Sequence, residues 1–163
     1  MSYFVKNSIA EIRDILSYTI DEMSELESHL FRKELCQKFT NSKEHYPIWE
    51  HFSSFFSVRD NDAWMWLDEF IKQEEVYLFF DKTDFPIVYI FQAGQSIVRF
   101  LEEFPWDFYL SNKANDYMLT HNDHDYLIAT GTAETWLKKK ALELSKTGWR
   151  DMDGKSYLHL ELS

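Results

Sequence analysis

Two apolar runs, Val76-Tyr-Leu-Phe-Phe80 and Phe85-Pro-Ile-Val-Tyr-Ile-Phe91, most constrain what this chain can fold into. Both are rich in aromatic residues, and the polar residues Asp81-Lys-Thr-Asp84 join them. Two such runs across a short polar link predict an antiparallel β-hairpin. Neither run alternates between apolar and polar residues. Such a strand needs cover on both faces, or one face in the core and the other in an interface. Pro86 cannot donate to a ladder, so it belongs at the start of its strand or at an edge.

The rest of the second half extends this sheet. Ser96 predicts a helix cap, with Ile97, Val98, Leu101 and Phe104 turned inward and Pro105 ending the segment. Trp106–Leu110 predicts a third strand, and Ser111–Asn115 a turn. Tyr117–Leu119 and Tyr126–Ala129 are two further strands around the polar stretch Thr120–Asp125. Thr132 is expected to cap a helix with Ala133, Trp136, Leu137, Ala141 and Leu144 inward and Lys138–Lys140 solvated, closed by Thr147-Gly148. Tyr157–Leu162 alternates and predicts a last, edge strand.

The first half predicts helices. Ser8 with Glu11 matches a capping box, and Ile9, Ile12, Leu16, Ile20 and Met23 follow at helical spacing. Ser24 with Glu27 repeats the box before a helix over residues 24–40, with Leu26, Leu30, Phe31, Leu35 and Phe39 as its apolar face. Pro47 opens a short helical turn carrying Ile48, Trp49 and Phe52. Asp60-Asn61-Asp62 marks another helix start, followed by Trp64, Leu67, Phe70 and Ile71. The expectation is an α+β fold in one globular domain, residues 1–163. N-terminal helices precede a mostly antiparallel sheet of about five strands, with a helix packed on one face.

Charge narrows the function. The 28 acidic and 17 basic residues give a formal net charge of −11. Such a surface repels phosphate backbones and anionic lipid and attracts a basic protein. A protein partner is therefore expected, with neither nucleic acid nor membrane. The 14 Phe, 9 Tyr and 6 Trp supply aromatic anchors of the kind that carry interfaces. Cys36 is the single cysteine, which excludes an internal disulfide and a cysteine-based zinc site. With no secretory leader and no apolar run near the ~20 residues of a membrane span, the expected compartment is the cytoplasm. No nucleotide fingerprint, phosphate loop or nucleophile elbow occurs, and no cofactor is expected.

The densest chemistry is His121-Asn122-Asp123-His124-Asp125. These five are the candidate binding residues. One reading is a structured corner, because Asn and Asp bond nearby backbone and tolerate left-handed dihedrals. Another is a small metal-dependent hydrolase using His121, His124 and Asp125, although residues three apart at a hairpin tip need not converge, and a third ligand would have to come from His45, His51 or His159. On the corner reading a His124→Ala change loses stability; on the hydrolase reading it loses activity alone.

Val76-Tyr-Leu-Phe-Phe-Asp81, Phe108-Tyr-Leu110, and Asn122-Asp-His-Asp-Tyr-Leu-Ile128 followed by Gly131 and Trp136 form a further pattern. Over roughly residues 60–137 the chain resembles small bacterial domains similar to toxin-immunity proteins of the SUKH kind. The resemblance implies an α+β fold around an antiparallel sheet, no enzymatic activity, and neutralisation of a cognate toxin by binding.

Overall fold

The computed structural model describes residues 2–41 and 46–160. It is an α+β fold built on one antiparallel sheet of seven strands. In chain order the elements are α1 (Ser2–Leu16), β1 (Ile20–Glu22), α2 (Glu25–Phe39), β2 (Phe56–Arg59), α3 (Leu67–Ile71), β3 (Val76–Phe79), β4 (Tyr89–Phe91), α4 (Ile97–Leu101), β5 (Phe108–Ser111), β6 (Tyr117–His121), β7 (Tyr126–Gly131) and α5 (Thr132–Ser145). Two short 3-10 turns, Ile48–His51 and Ala63–Trp66, precede β2 and α3. The strand order is β1-β4-β3-β5-β6-β7-β2.

The expected hairpin is present, with Val76 opposite Phe91 and Leu78 opposite Tyr89. Its continuous apolarity has the predicted cause. Val76, Leu78 and Phe80 face a core made with Val5, Ile9 and Ile12 of α1, Ile71 of α3, Phe100 of α4 and Leu137 of α5. Tyr77 and Phe79 face a second core made with Phe31, Leu35, Cys36 and Phe39 of α2, and with Ile48 and Phe52. Successive strand side chains alternate between faces, so a strand covered on both has no polar position. The five central strands are those the sequence predicts. The two edges, β1 and β2, lie in the half read as helical, so the expected count of about five becomes seven. Helices also cover both faces rather than one.

Several local expectations are corrected. Helix α1 starts upstream of Ser8, whose hydroxyl instead accepts from Trp106 Nε1 at 3.3 Å. It stops at Leu16, well before Met23. Ser17 takes a left-handed φ of 56°, Tyr18 N–H donates to Arg13 O and Ser17 N–H to Asp14 O. This is a Schellman stop made by serine rather than glycine, and it frees residues 20–22 to pair with β4. In α2 the Ser24 cap forms, its Oγ accepting from Glu27 N–H at 3.1 Å. Leu26 and Leu30 are exposed, however; the buried face runs through Ser28, Phe31, Arg32, Leu35, Cys36 and Phe39.

The Asp60–Asp62 start signal leads first into the 3-10 turn and only then into α3. Thr132 is the first residue of α5 and not its cap. Gly131 precedes it at φ 60°, and Thr132 N–H donates to Asp116 O at 3.0 Å. A Cβ on Gly131 would sit 2.2 Å from that same carbonyl oxygen, so only glycine fits between β7 and α5. Within the lysine run, Lys140 pairs with Glu69 at 2.7 Å and Lys138 with Glu134 at 3.1 Å. Tyr157–Leu160 is a turn and not a strand, anchored by the Tyr157 phenol donating to Asp151; residues 161–163 lie outside the described residues. Among the described residues no helix is long and apolar enough to cross a membrane.

Candidate functional site: an acidic cleft at one end of the sheet

The stretch His121–Asp125 is the turn between β6 and β7, and its organiser is Asn122. Asn122 is 5% exposed, and its Oδ1 accepts from His124 N–H at 3.0 Å and Tyr126 N–H at 3.1 Å. This side chain replaces a backbone turn, the Asx behaviour expected of the corner. Asp125 closes the turn at φ 67°, and its N–H donates to Asn122 O.

Neighbouring chain clamps the turn from outside. Asp60 N–H donates to Asp125 O, and His121 Nε2 lies 3.0 Å from Asp60 O. That carbonyl only accepts, so His121 carries its proton on Nε2. Arg59 Nε donates to His124 O at 3.1 Å, and its Nη1 pairs with Asp153.

The five candidate residues divide between two hollows that share Asn122. His121 and Asp125 line one, of about 230 Å³, among Trp64, Phe104 and Trp106. Asp123 and His124 line the other, of about 300 Å³, with Trp49 and Tyr109. The two imidazoles thus serve different hollows. His124 is 65% exposed, its Nε2 lies 3.6 Å from Asp123 Oδ1, and its ring meets Trp49 edge-on. His159 stacks on Tyr157, and His45 lies outside the described residues. Among the described residues no group of three or more His, Cys, Asp or Glu side chains is placed to hold a metal ion.

The larger hollow is an acidic cleft. Glu50, Asp81, Asp84, Asp107 and Asp123 line it, and no lysine or arginine does. Strand order brings them together. Asp81 and Asp84 follow β3, Asp107 precedes β5, and Asp123 lies between β6 and β7, so antiparallel alternation delivers them all to one end of the sheet.

At the cleft floor Asp81 is bound into the fold. Its Oδ1 accepts from Ile48 N–H at 2.9 Å, and the Tyr109 hydroxyl donates to its carboxylate at 3.2 Å while accepting from Trp49 N–H. Burial, reinforced by the Asp81 charge, pushes the Tyr109 phenol far up, so it stays protonated. Asp84 and Asp107 differ. Neither forms an ion pair, whereas Arg59, Arg99, Lys138 and Lys140 outside the cleft all have acidic partners.

Asp107 borders both hollows and a third, smaller one beside Val5 and Phe80. The residue is exposed, yet enough protein surrounds its carboxyl for desolvation to push the pKa up. Repulsion from Asp123 and Asp84 adds to the rise, and His121 and His124 oppose it. Asp107, Asp84 and Trp49 are site residues that sequence reasoning missed. Each central strand has an aspartate at one terminus, and tracing those termini through antiparallel alternation could have found the cleft.

A model of a family of unknown function, DUF6756, matches residues 1–155. The chain belongs to the DUF6756 family. No curated protein and no solved structure matches it.

Proposed function

We propose that this DUF6756 protein is a non-enzymatic protein-binding domain that receives a basic partner at the acidic cleft. One observation carries the reading: Asp84 and Asp107 lie in a concave site without a basic partner, in a molecule that pairs many of its other surface charges. Unpaired charge of one sign in a concavity raises the rate at which oppositely charged partners arrive. The net charge of −11 acts in the same direction.

The partner this favours is a toxin, with the domain acting as its immunity protein. That finer assignment rests on the SUKH-like sequence pattern. The alternative, a metal-dependent hydrolase, has less support, because His121 and His124 line different hollows and His121 Nε2 is engaged by Asp60.

The test is complex formation with the product of the adjacent gene, where that gene encodes a basic, toxin-like protein. Co-elution, with an association rate that falls as salt rises, is expected. Unrelated metabolic neighbours, or a toxin-like neighbour that does not bind, would sink the immunity reading.

A further inference from the structure

We propose that the acidic cleft is a receptor for one arginine side chain together with an adjacent main-chain carbonyl, offered by a loop of the partner. The inference rests on the protein-binding reading and names what the site recognises. Two independent observations converge on it.

The first is the unpartnered carboxylates. Asp84, Asp107 and Asp123 supply acceptors on the cleft walls, and the half-buried indole of Trp49 lies beside them. A guanidinium is planar, presents five donors, pairs two at a time with a carboxylate and stacks on an aromatic face. An ammonium group offers only a point charge, so this combination favours arginine over lysine.

The second is Asn122. Its Oδ1 is fully used by the turn, so the amide assignment is fixed. Amide geometry then puts Nδ2 on the other side of Cγ, against the wall both hollows share. That Nδ2 is buried and has no hydrogen-bond partner. A buried donor without an acceptor costs free energy, and natural folds leave few of them. The carboxylates call for a cation, but this N–H calls for an acceptor. A metal ion or a free amine satisfies only the first demand. An arginine within a peptide satisfies both, through its guanidinium and a neighbouring carbonyl.

The experiment titrates N-acetyl-arginine amide and its neutral isostere, N-acetyl-citrulline amide, into the 15N-labelled full chain. The signals followed are the Asn122 side-chain amide and the Trp49 indole N–H. The arginine probe is expected to shift both signals saturably, with citrulline binding at least about tenfold more weakly. The variant Asp107→Asn should weaken the arginine probe about tenfold, roughly 1.4 kcal/mol, while the rest of the spectrum stays in place.

Equal binding of the two probes, shifts confined to other residues, no shift at all, or an unchanged affinity in Asp107→Asn would each overturn the arginine site. Those failures leave the protein-binding reading to be decided by the complex with the neighbouring gene product. Failure of that complex with a working probe would sink the immunity partner and keep the site.

Discussion

The loop after α5 and the acidic cleft both depend on aspartate, and they use it in opposite ways. Asp151 is 6% exposed and saturated: its carboxylate accepts from Asp153 N–H and Lys155 N–H, each at 2.9 Å, and from the Tyr157 phenol at 2.5 Å. Asp68 behaves similarly, accepting from Ile97 N–H, Val98 N–H and the Ser96 hydroxyl at the start of α4. In the cleft, Asp84 and Asp107 accept nothing, although protein surrounds them on three sides of the sheet end. A saturated carboxylate has spent its acceptors on the fold. An unsaturated one keeps them for something else, and the fold bears the repulsion.

Variants can break this contrast. The largest effect belongs to Asp151→Ala, which leaves two backbone donors and a buried phenol unanswered. With about 1–3 kcal/mol for each stranded buried donor and incomplete additivity, a loss of roughly 3 kcal/mol is expected by chemical denaturation. A loss below about 1 kcal/mol would show that the loop does not depend on this carboxylate.

Asn122→Ala comes next. It removes both side-chain acceptors of the β6–β7 turn but also the unpartnered Nδ2, so about 2 kcal/mol is the expected cost. Equal stability of wild type and variant would show that Arg59 and Asp60 hold the corner alone.

These two positions also show how far the sequence could be followed. The central strands β3 to β7 were legible because their burial on two faces writes itself as uninterrupted Val, Leu, Ile and aromatic runs. The edge strands were not, for two physical reasons. Ile20–Glu22 is three residues long and half solvated, so its side chains carry no two-faced signature. The helix before it ends on Ser17 at positive φ, and α3 likewise ends on Lys72 and Gln73 at positive φ. A chain with only 4 glycines ends helices without the residue that announces an end.

The corner was legible as a corner, since Asn and Asp at a strand junction have a local chemical reason to be there. The cleft was not. Asp81-Lys-Thr-Asp84 has the pattern of a turn and Asp107 that of a strand entry, and both descriptions hold locally. What joins them to Asp123 is the placement of β5 between β3 and β6, a long-range pairing that no local pattern encodes.

The same distinction moves the His124 prediction. Local density of histidine makes His124→Ala the natural probe of the corner, but its ring is mostly exposed and meets only Trp49 and, loosely, Asp123. The turn runs through the His124 backbone, which alanine retains. The expected cost is therefore about 0.5 kcal/mol, the scale of one edge-on aromatic contact. A cost as large as that of Asn122→Ala would restore the imidazole to a structural role.

The smallest effect has the opposite sign. The folded-state pKa of Asp107 is raised above its ordinary 3.8, first by desolvation and then by Asp123 and Asp84. Between the unfolded and folded values the native state holds more protons than the unfolded one, so this group's contribution to stability falls as pH rises through that window. Below the ordinary value the penalty is absent; above the folded value it is fully present and constant. Asp107→Asn removes the charge and keeps the shape. It should match wild type near pH 3 and exceed it at pH 7 by a few tenths of a kcal/mol, because solvent screens an exposed carboxylate. Paired melts of the two proteins at the two pH values check the sign. A saturated aspartate such as Asp151 cannot give that result, since its loss always strands donors. If Asp107→Asn is instead destabilising at pH 7, the carboxylate is holding the fold together and the contrast between loop and cleft fails at its central residue.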